Sequence, residues 1–348
     1  KAHNQIDVDT FHLGFSQMNQ KQWAPALANF AKVPAKSDWR DDALYQSAWC
    51  EKGAGKKAAA APHYVALLTD FPKSTLAGNA TLELAEINFD AKKLDDVIQS
   101  LTAMVAKKPE AKLLASAQFR LGWAYFEKKN YAEGAKAFEA MLPKAEEEDI
   151  VTAAWQAGEC RWNTKEYAPA LANYQKAVAA KKPAAKEEAV LQEQALLRVG
   201  QCQGQINQWP ASEATFKKFI AAHPEHDQIR AAQHGLGRAL KGQKKYVPAL
   251  VAFDPVLSEA IRDELGAHGQ FLVGECYLEQ NKFNEAILEY QKVEALYDFP
   301  AWQSKAVFEM AQALDRLGAK DQAKAQYQRL IQKYPDTEAA KAAKAKLN

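Results

Sequence analysis

Small and large apolar residues recur along the chain at fixed offsets from one another. A small residue starts each pattern, a second and usually small residue follows twelve positions later, and a large apolar or aromatic residue stands at sixteen. Nineteen positions after the first residue there is again an apolar side chain. Three offsets held nine times indicate a repeat protein. The first small residue, here called the anchor, is Gly14, Ala48, Ala85, Gly122, Gly158, Gly200, Gly237, Gly274 and Ala311.

These offsets predict a helical hairpin in each repeat. A small residue on the first helix faces a small residue on the second, so the two backbones can approach closely, and the large residue one turn further on fills the space against the next hairpin. Between the helices lies a polar turn, after which Pro25, Pro169, Pro210 and Pro248 suit the first turn of a helix. We expect an all-helical chain without β-sheet. The predicted turns lie near residues 19–24, 53–58, 90–95, 127–132, 163–168, 205–210, 242–247, 279–284 and 316–321.

The spacing of glycine, alanine and aromatic residues resembles the motif of the tetratricopeptide repeat family over nearly the whole chain. Two features depart from that motif. The early tryptophan of the family is replaced by an aromatic residue one position later, as at Phe11 and Tyr45, and most anchors are 37 residues apart instead of about 34. The longest step, 42 residues from Gly158 to Gly200, is expected to place its extra residues in the polar stretch 181–190. The resemblance implies a right-handed superhelical solenoid.

We interpret residues 1–348 as a single solenoid domain of about nine hairpins. The final segment, 336–348, is rich in alanine and lysine and predicts a capping helix, because a solenoid needs a polar element to close its core. The first hairpin has no comparable cover, so we expect the natural protein to continue upstream of Lys1 or to dock this end on a partner. The repeats are predicted at residues 7–36, 40–72, 77–109, 114–145, 150–183, 190–224, 229–261, 265–300 and 303–335.

Composition and charge limit the classes of function. A hydrophobic content of 48% with 10% aromatic residues is typical of an ordered protein. The 45 basic and 43 acidic residues nearly balance, which gives neither a nucleic-acid footprint nor a strong attraction to anionic membranes. No apolar run reaches the length that a membrane-spanning helix requires. We therefore expect protein or peptide partners, and neither nucleic acid nor a transmembrane segment.

Several residues with chemical potential are better explained by structure. Segment 53–57 lacks the features of a phosphate-binding loop. His223 and His226 lie in a polar loop between hairpins, where a weak exposed metal site is the less favoured alternative. Four cysteines, each two residues after an anchor, are interpreted as buried thiols without a disulfide or metal. They are Cys50, Cys160, Cys202 and Cys276. We predict no catalytic site, no cofactor and no enzymatic activity.

Aromatic residues indicate where a partner binds. In the tetratricopeptide family the first helices line the concave face, and the resemblance places the positions three before, one after and four after each anchor in that face. The first five hairpins carry a run of aromatic residues there, which is typical of a binding surface. The predicted binding residues are Phe11, Phe15, Tyr45, Trp49, Phe119, Trp123, Phe126, Trp155 and Trp162, with Phe89 on the same face. For the aromatics three before an anchor, packing between the two helices is an equal alternative. The later hairpins offer more polar residues: Gln201, Arg238, Lys241, Glu275, Gln312 and Asp315.

These features favour a non-catalytic scaffold that binds a peptide or helix of a partner protein in an aromatic groove. The joints at residues 68–74 and 331–337, an aromatic-proline pair followed by Ser or Thr, resemble those of bacterial envelope proteins. The resembling members are the Tol–Pal coordinator and the lipoprotein of the outer-membrane barrel-assembly machine. They imply a periplasmic location or a peripheral one at the outer membrane. A cytoplasmic adaptor or co-chaperone is the alternative, and an accessory domain of a larger enzyme is the remote one.

Overall fold

The structure is a computed structural model that describes residues 5–181, 185–258 and 260–347. Over these residues it contains nineteen α-helices and no β-strand, which confirms the predicted all-α fold class. The helices are α1 (Gln5–Asn19), α2 (Trp23–Lys32), α3 (Arg40–Gly53), α4 (Ala61–Asp70), α5 (Ala77–Asp90), α6 (Leu94–Ala106), α7 (Ala111–Glu127), α8 (Tyr131–Met141), α9 (Ile150–Asn163), α10 (Tyr167–Ala179), α11 (Lys186–Gln205), α12 (Trp209–Ala222), α13 (Ile229–Gly242), α14 (Tyr246–Phe253), α15 (Glu264–Glu279), α16 (Phe283–Leu296), α17 (Pro300–Arg316), α18 (Lys320–Lys333) and α19 (Glu338–Leu347).

All nine hairpin turns lie where the sequence predicts them. In every turn the residue seven positions after the anchor has a left-handed backbone, with φ between 58° and 80°. For a residue with a Cβ this conformation costs about 1–2 kcal/mol, so most of these turns are held by helix packing and not by local preference. The left-handed residues are Lys21, Gly55, Lys92, Lys129, Lys165, Asn207, Lys244, Asn281 and Gly318.

Replacing Lys129 by glycine should stabilise the protein. Lys129 has φ of 59°, and a glycine adopts that conformation without the steric cost of a Cβ. Glycine loses more conformational entropy on folding than lysine does, which offsets part of this effect. We expect the free energy of unfolding, measured by chemical denaturation, to rise by about 0.5–1 kcal/mol. Asn130→Gly is the control, because Asn130 has φ of −85° and should gain nothing. Equal gains for both variants would contradict the argument.

Each anchor glycine lies against the large ring of its own hairpin. A Cβ built on Gly158 would lie 2.5 Å from Cε1 of Tyr174. The sequence predicts that these rings pack against the next hairpin, and Phe216 does so, because a Cβ on Gly235 of the next hairpin would lie 2.2 Å from its Cζ. The contact of each ring with its own anchor was not predicted. The expected close approach of the two helices is present as well, since the Ser212 hydroxyl donates to the carbonyl of Gly200 at 2.8 Å. The same ring contact occurs at Gly14, Gly122, Gly200, Gly237 and Gly274.

The hairpins fall into two compact units, residues 1–189 and residues 190–348. In the first unit each helix from α1 to α10 packs against the next one along the chain, and in the second unit the same holds from α12 to α19. The core of each unit is a row of buried large side chains from the second helices. They are Phe30, Tyr64, Leu101, Phe138 and Tyr174 in the first unit, and Phe216, Phe253, Tyr290 and Tyr327 in the second. A single solenoid over residues 1–348 remains a prediction.

The predicted capping helix is present as α19. It buries Ala340 and Ala343 in the core cluster that also contains residues of α17 and α18, and its lysines are exposed. The extra residues between the anchors Gly158 and Gly200 were predicted in the polar stretch 181–190. Some of them are helical, because α11 already begins at Lys186. Residues 1–4, residues 182–184, Glu259 and Asn348 lie outside the described residues, and the predicted end of the fifth repeat at residue 183 falls among them.

Candidate functional site

The aromatic residues three positions before an anchor pack on the large ring of their own hairpin. In the first unit the ring centroids are 5.5–5.9 Å apart. Packing between the two helices, the alternative that the sequence left open, is therefore one function of these positions. Phe11 is only 6% exposed and offers a partner almost no surface. The pairs are Phe11–Phe30, Tyr45–Tyr64, Phe119–Phe138 and Trp155–Tyr174.

The aromatic residues one position after an anchor are more accessible. Phe15 is 37% exposed, and Trp49 is 44% exposed with the Lys52 ammonium 5.1 Å from its ring centroid. Trp162, four positions after an anchor, is half-buried and lies edge-on to Tyr167 at 5.2 Å.

The structure brings three of the predicted residues into one cluster on α7. Trp123 lies edge-on to Phe119 at 6.3 Å and to Phe126 at 5.8 Å between ring centroids. All three side chains are half-buried, so part of each ring is in contact with solvent. Phe119 and Trp123 are four residues apart and Trp123 and Phe126 are three apart, which places all three on one side of α7. The sequence predicts this for the positions three before, one after and four after an anchor.

Phe119 and Trp123 form one wall of a cleft of about 290 Å³. Phe89 of α5 lines the cleft as well, together with Ala85 and Val97, so its inner surface is mostly apolar. Ala85, the anchor of the third repeat, and Val97, twelve positions later, lie at the contact of α5 and α6 and line the cleft. We call this cleft, with Glu86 and Arg120 as its polar members, the aromatic cleft.

An ion-pair network borders the aromatic cleft. The Lys57 ammonium donates to Glu86 at 2.6 Å and to Asp90 at 2.5 Å, and the Arg120 guanidinium donates to Glu86 at 3.1 Å. The hydrogen bond from Lys57 lowers the pKa of Glu86 against the opposing effect of burial, and the charge of Arg120 adds to it. Glu86 is therefore held as a carboxylate, and with Arg120 it gives the cleft one acceptor and several donors.

The second unit carries a different set of side chains on its first helices. His234 on α13 is 7% exposed, and its ring centroid lies 4.7 Å from that of His268 on α15. His268 in turn stacks on Trp302 of α17 at 4.1 Å with an interplanar angle of 15°. Burial, with help from the neighbouring charge of Arg238, lowers the pKa of His234 to about 3 and that of His268 to about 4. Both imidazoles are therefore neutral near pH 7.

The remaining candidate chemistry is structural. The four cysteines are buried thiols, and burial raises the pKa of Cys50 to about 11 and that of Cys160 and Cys276 to about 12. Such thiols are poor nucleophiles and poor metal ligands near pH 7. Within the described ranges, no three His, Cys, Asp or Glu side chains come together as a metal site. In the same ranges no helix is both long and apolar enough to span a bilayer.

Comparison with known families agrees with the repeated helical hairpins. The tetratricopeptide repeat-like domain matches residues 14–196, more than half of the chain. The chain belongs to the tetratricopeptide repeat family. The tetratricopeptide repeat itself matches twice more, at residues 194–226 and 305–337. Repeats of this family generally mediate protein–protein interactions, and proteins built from them are typically non-catalytic scaffolds.

Solved structures of tetratricopeptide proteins are similar to the chain. The C-terminal part of a repeat-containing protein of Cytophaga hutchinsonii is 18% identical, with a TM-score of 0.53 over 75% of this chain and 98% of that one. A tetratricopeptide repeat protein of Parabacteroides merdae is 16% identical, with a TM-score of 0.42 over 79% of this chain and 98% of that one. The first of these supports the fold alone. Among curated proteins, none matches the sequence significantly.

The sequence analysis did not predict Glu86 and Arg120 of the aromatic cleft, nor the ring contacts of His234, His268 and Trp302. Glu86 occupies the position one after an anchor, so the rule that found Trp123 also marks it, but a search for aromatic residues passed over it. Arg120 precedes its anchor by two and follows no repeated pattern. His268 and Trp302 lie six and nine positions before their anchors, outside the three positions considered, and meet only because their helices pack side by side.

Proposed function

We propose that the aromatic cleft binds one large apolar side chain from a segment of a partner protein, and that the chain is a non-catalytic interaction scaffold. The observation that carries the proposal is an open apolar cleft on helices α5 and α7 of the first unit, walled by Phe89, Phe119 and Trp123. Half-exposed aromatic side chains around a pocket are typical of the anchor sites that dominate binding between proteins.

The size and polarity of the cleft favour a side chain over a small-molecule cofactor. Its volume of about 290 Å³ is at the lower limit of ligand pockets, which span roughly 300–1,000 Å³. One leucine or aromatic side chain suits this volume better than a cofactor does. The carboxylate of Glu86 and the guanidinium of Arg120 supply an acceptor and donors for the backbone of the segment that carries the side chain.

A peptide selection tests this proposal. Short random peptides displayed on phage are selected on the full chain, and the enriched peptides are synthesised and titrated calorimetrically. We expect them to share a large apolar residue, and Phe89→Ala to weaken binding about ten-fold or more, since burial of an apolar side chain contributes about 1.5–3 kcal/mol. Phe89→Leu keeps an apolar wall and should retain most of the affinity.

The matched control is Val65→Ala, which removes an exposed apolar side chain of α4 that does not line the cleft. It should leave the affinity unchanged. Circular dichroism of each variant checks that the helices remain formed. Peptides that bind Phe89→Ala as tightly as the original chain would show that the cleft is not the binding site.

We further propose that the partner belongs to an assembly of the bacterial cell envelope. Support comes from the joints at residues 68–74 and 331–337, which resemble those of periplasmic and outer-membrane-associated members of the family. Fractionation of cells that express the full-length gene product tests this. Recovery with the periplasm or the outer membrane supports the proposal, and recovery with the cytoplasm favours an adaptor or co-chaperone instead.

A further inference from the structure

Helix α14 of the second unit has no charged residue on any of its faces. Its sequence is YVPALVAF, in which the tyrosine hydroxyl is the only polar side-chain group. One side of the helix buries Ala249, Ala252 and Phe253 in a core cluster of the second unit. A helix that is apolar all round is typical of a helix covered on every side, so we expect its outer side to have a partner as well.

The outer side of α14 presents large apolar side chains to solvent. Val247 is 64% exposed and Val251 is 70% exposed, and Pro248 and Pro255 are exposed beside them. Residues 247, 251 and 255 follow one another at intervals of four along α14 and the short 3₁₀-helix that continues it, so they lie on one side. We call these four residues the α14 patch. Leu288 occupies the position of Val251 in the next hairpin and is 57% exposed, which extends the apolar surface.

An exposed charge stands at each end of the α14 patch, and the two charges have opposite signs. Lys244 lies two residues before the helix, and Asp254 follows its last residue directly. Among the residues that the structure describes, neither side chain has an oppositely charged group within 4 Å, whereas the neighbouring Lys245 is paired with Glu213 at 2.9 Å. Along the helix the surface therefore runs from positive through apolar to negative.

We propose that the α14 patch binds the same patch of a second copy of this chain, with the two helices antiparallel. A two-fold interface brings one surface together with itself in the opposite direction, so Lys244 of each copy meets Asp254 of the other and the valines meet between them. An unrelated partner would have to supply the reverse order of charges, which the same helix already has when it is turned around.

The small size of the α14 patch sets the strength of this contact. Interfaces that bury less than about 1,200 Å² in total are typical of transient complexes, and four apolar side chains from each copy make a small interface. We therefore expect a dimer whose population depends on protein concentration. The α14 patch belongs to the second unit and shares no residue with the aromatic cleft, so either proposal can fail without the other.

Analytical ultracentrifugation of the full chain over about a hundred-fold range of concentration tests for the dimer. We expect a monomer–dimer equilibrium that Val251→Asp weakens about ten-fold or more, because the variant would bury a carboxylate among apolar side chains. Val65→Asp is the matched control, since Val65 is 48% exposed on α4 of the first unit, and it should leave the equilibrium unchanged. Phe89→Ala, at the aromatic cleft, should also leave it unchanged. A chain that stays monomeric at every concentration, or a dimer that Val251→Asp leaves intact, would overturn the proposal.

Exchange of the two charges tests the antiparallel order. Lys244→Glu and Asp254→Lys should each weaken self-association about three- to ten-fold, because each variant places like charges at both ends of the paired helices. An equimolar mixture of the two variants should recover the original affinity through a mixed dimer, in which both ends again carry opposite charges. Circular dichroism checks that each variant remains helical. A mixture that associates no better than either variant alone would rule out the antiparallel pair.

Discussion

Replacing Gly200 by leucine is expected to destabilise the second unit by about 3 kcal/mol, the upper part of the range for overpacked cores. A Cβ on Gly200 would lie 2.9 Å from Cε1 of Phe216. The ring cannot move away, because Gly235 of the next hairpin lies against its other side. A Cβ on Gly235 would be even closer to the ring than one on Gly200. Thermal and chemical unfolding of the full chain measure the effect.

The same helix supplies a matched control at Gly204. A Cβ there would meet the Ser212 hydroxyl at 3.5 Å and Trp209 at 3.7 Å, which are ordinary contact distances. Gly204→Ala should therefore be neutral or stabilising by up to about 1 kcal/mol, the difference in helix propensity. Gly200→Ala should destabilise, by less than leucine does. If alanine at Gly200 and at Gly204 gave the same result, the anchors would not be contact points.

Acidification should unfold the second unit in a way that depends on His234. The folded state lowers the pKa of His234 from about 6.5 to about 3, so the unfolded chain binds the proton more readily. The stabilisation is complete above pH 6.5 and is lost as the pH falls from there towards 3. Near pH 4.5 the loss from His234 amounts to about 3 kcal/mol.

Carboxylates also titrate in acid, so the comparison with His234→Phe isolates the histidine. Phe271 and Phe308 occupy the equivalent position in the two following pairs of helices, and a phenyl ring is therefore compatible with this site. Unfolding free energies of both proteins are measured from pH 8 to pH 4.5. The variant should lose about 3 kcal/mol less over this range. Parallel curves would mean that His234 is not held neutral by its surroundings.

The fold follows from the sequence because the anchors and rings repeat. Gly158 and Tyr174 illustrate this, since a fixed offset of sixteen residues places a ring against the anchor in all six hairpins that have a glycine anchor. The left-handed turns could not be predicted in this way. Lysine has no preference for that conformation, and Lys129 adopts it only because two packed helices leave no other path.

The aromatic cleft was only partly predictable for a related reason. Phe119 and Trp123 stand at positions that the repeat marks, whereas the width of the cleft depends on how α5, α6 and α7 pack. The ion pair of Arg120 and Glu86 joins two residues that are 34 positions apart in the sequence and lie on different helices. Likewise the stack of His268 on Trp302 joins residues whose offsets from their anchors differ. A contact between residues that do not recur in the other hairpins cannot be predicted from the repeat pattern.

If a partner inserts an apolar side chain into the aromatic cleft, a crystal structure of the full chain bound to the tightest selected peptide will show that side chain in place. We predict electron density for a leucine or aromatic side chain between Phe89 of α5 and Trp123 of α7, with the peptide backbone hydrogen-bonded to Arg120 or Glu86. A peptide that lies elsewhere on the chain and leaves the aromatic cleft empty would show that the cleft is not the binding site.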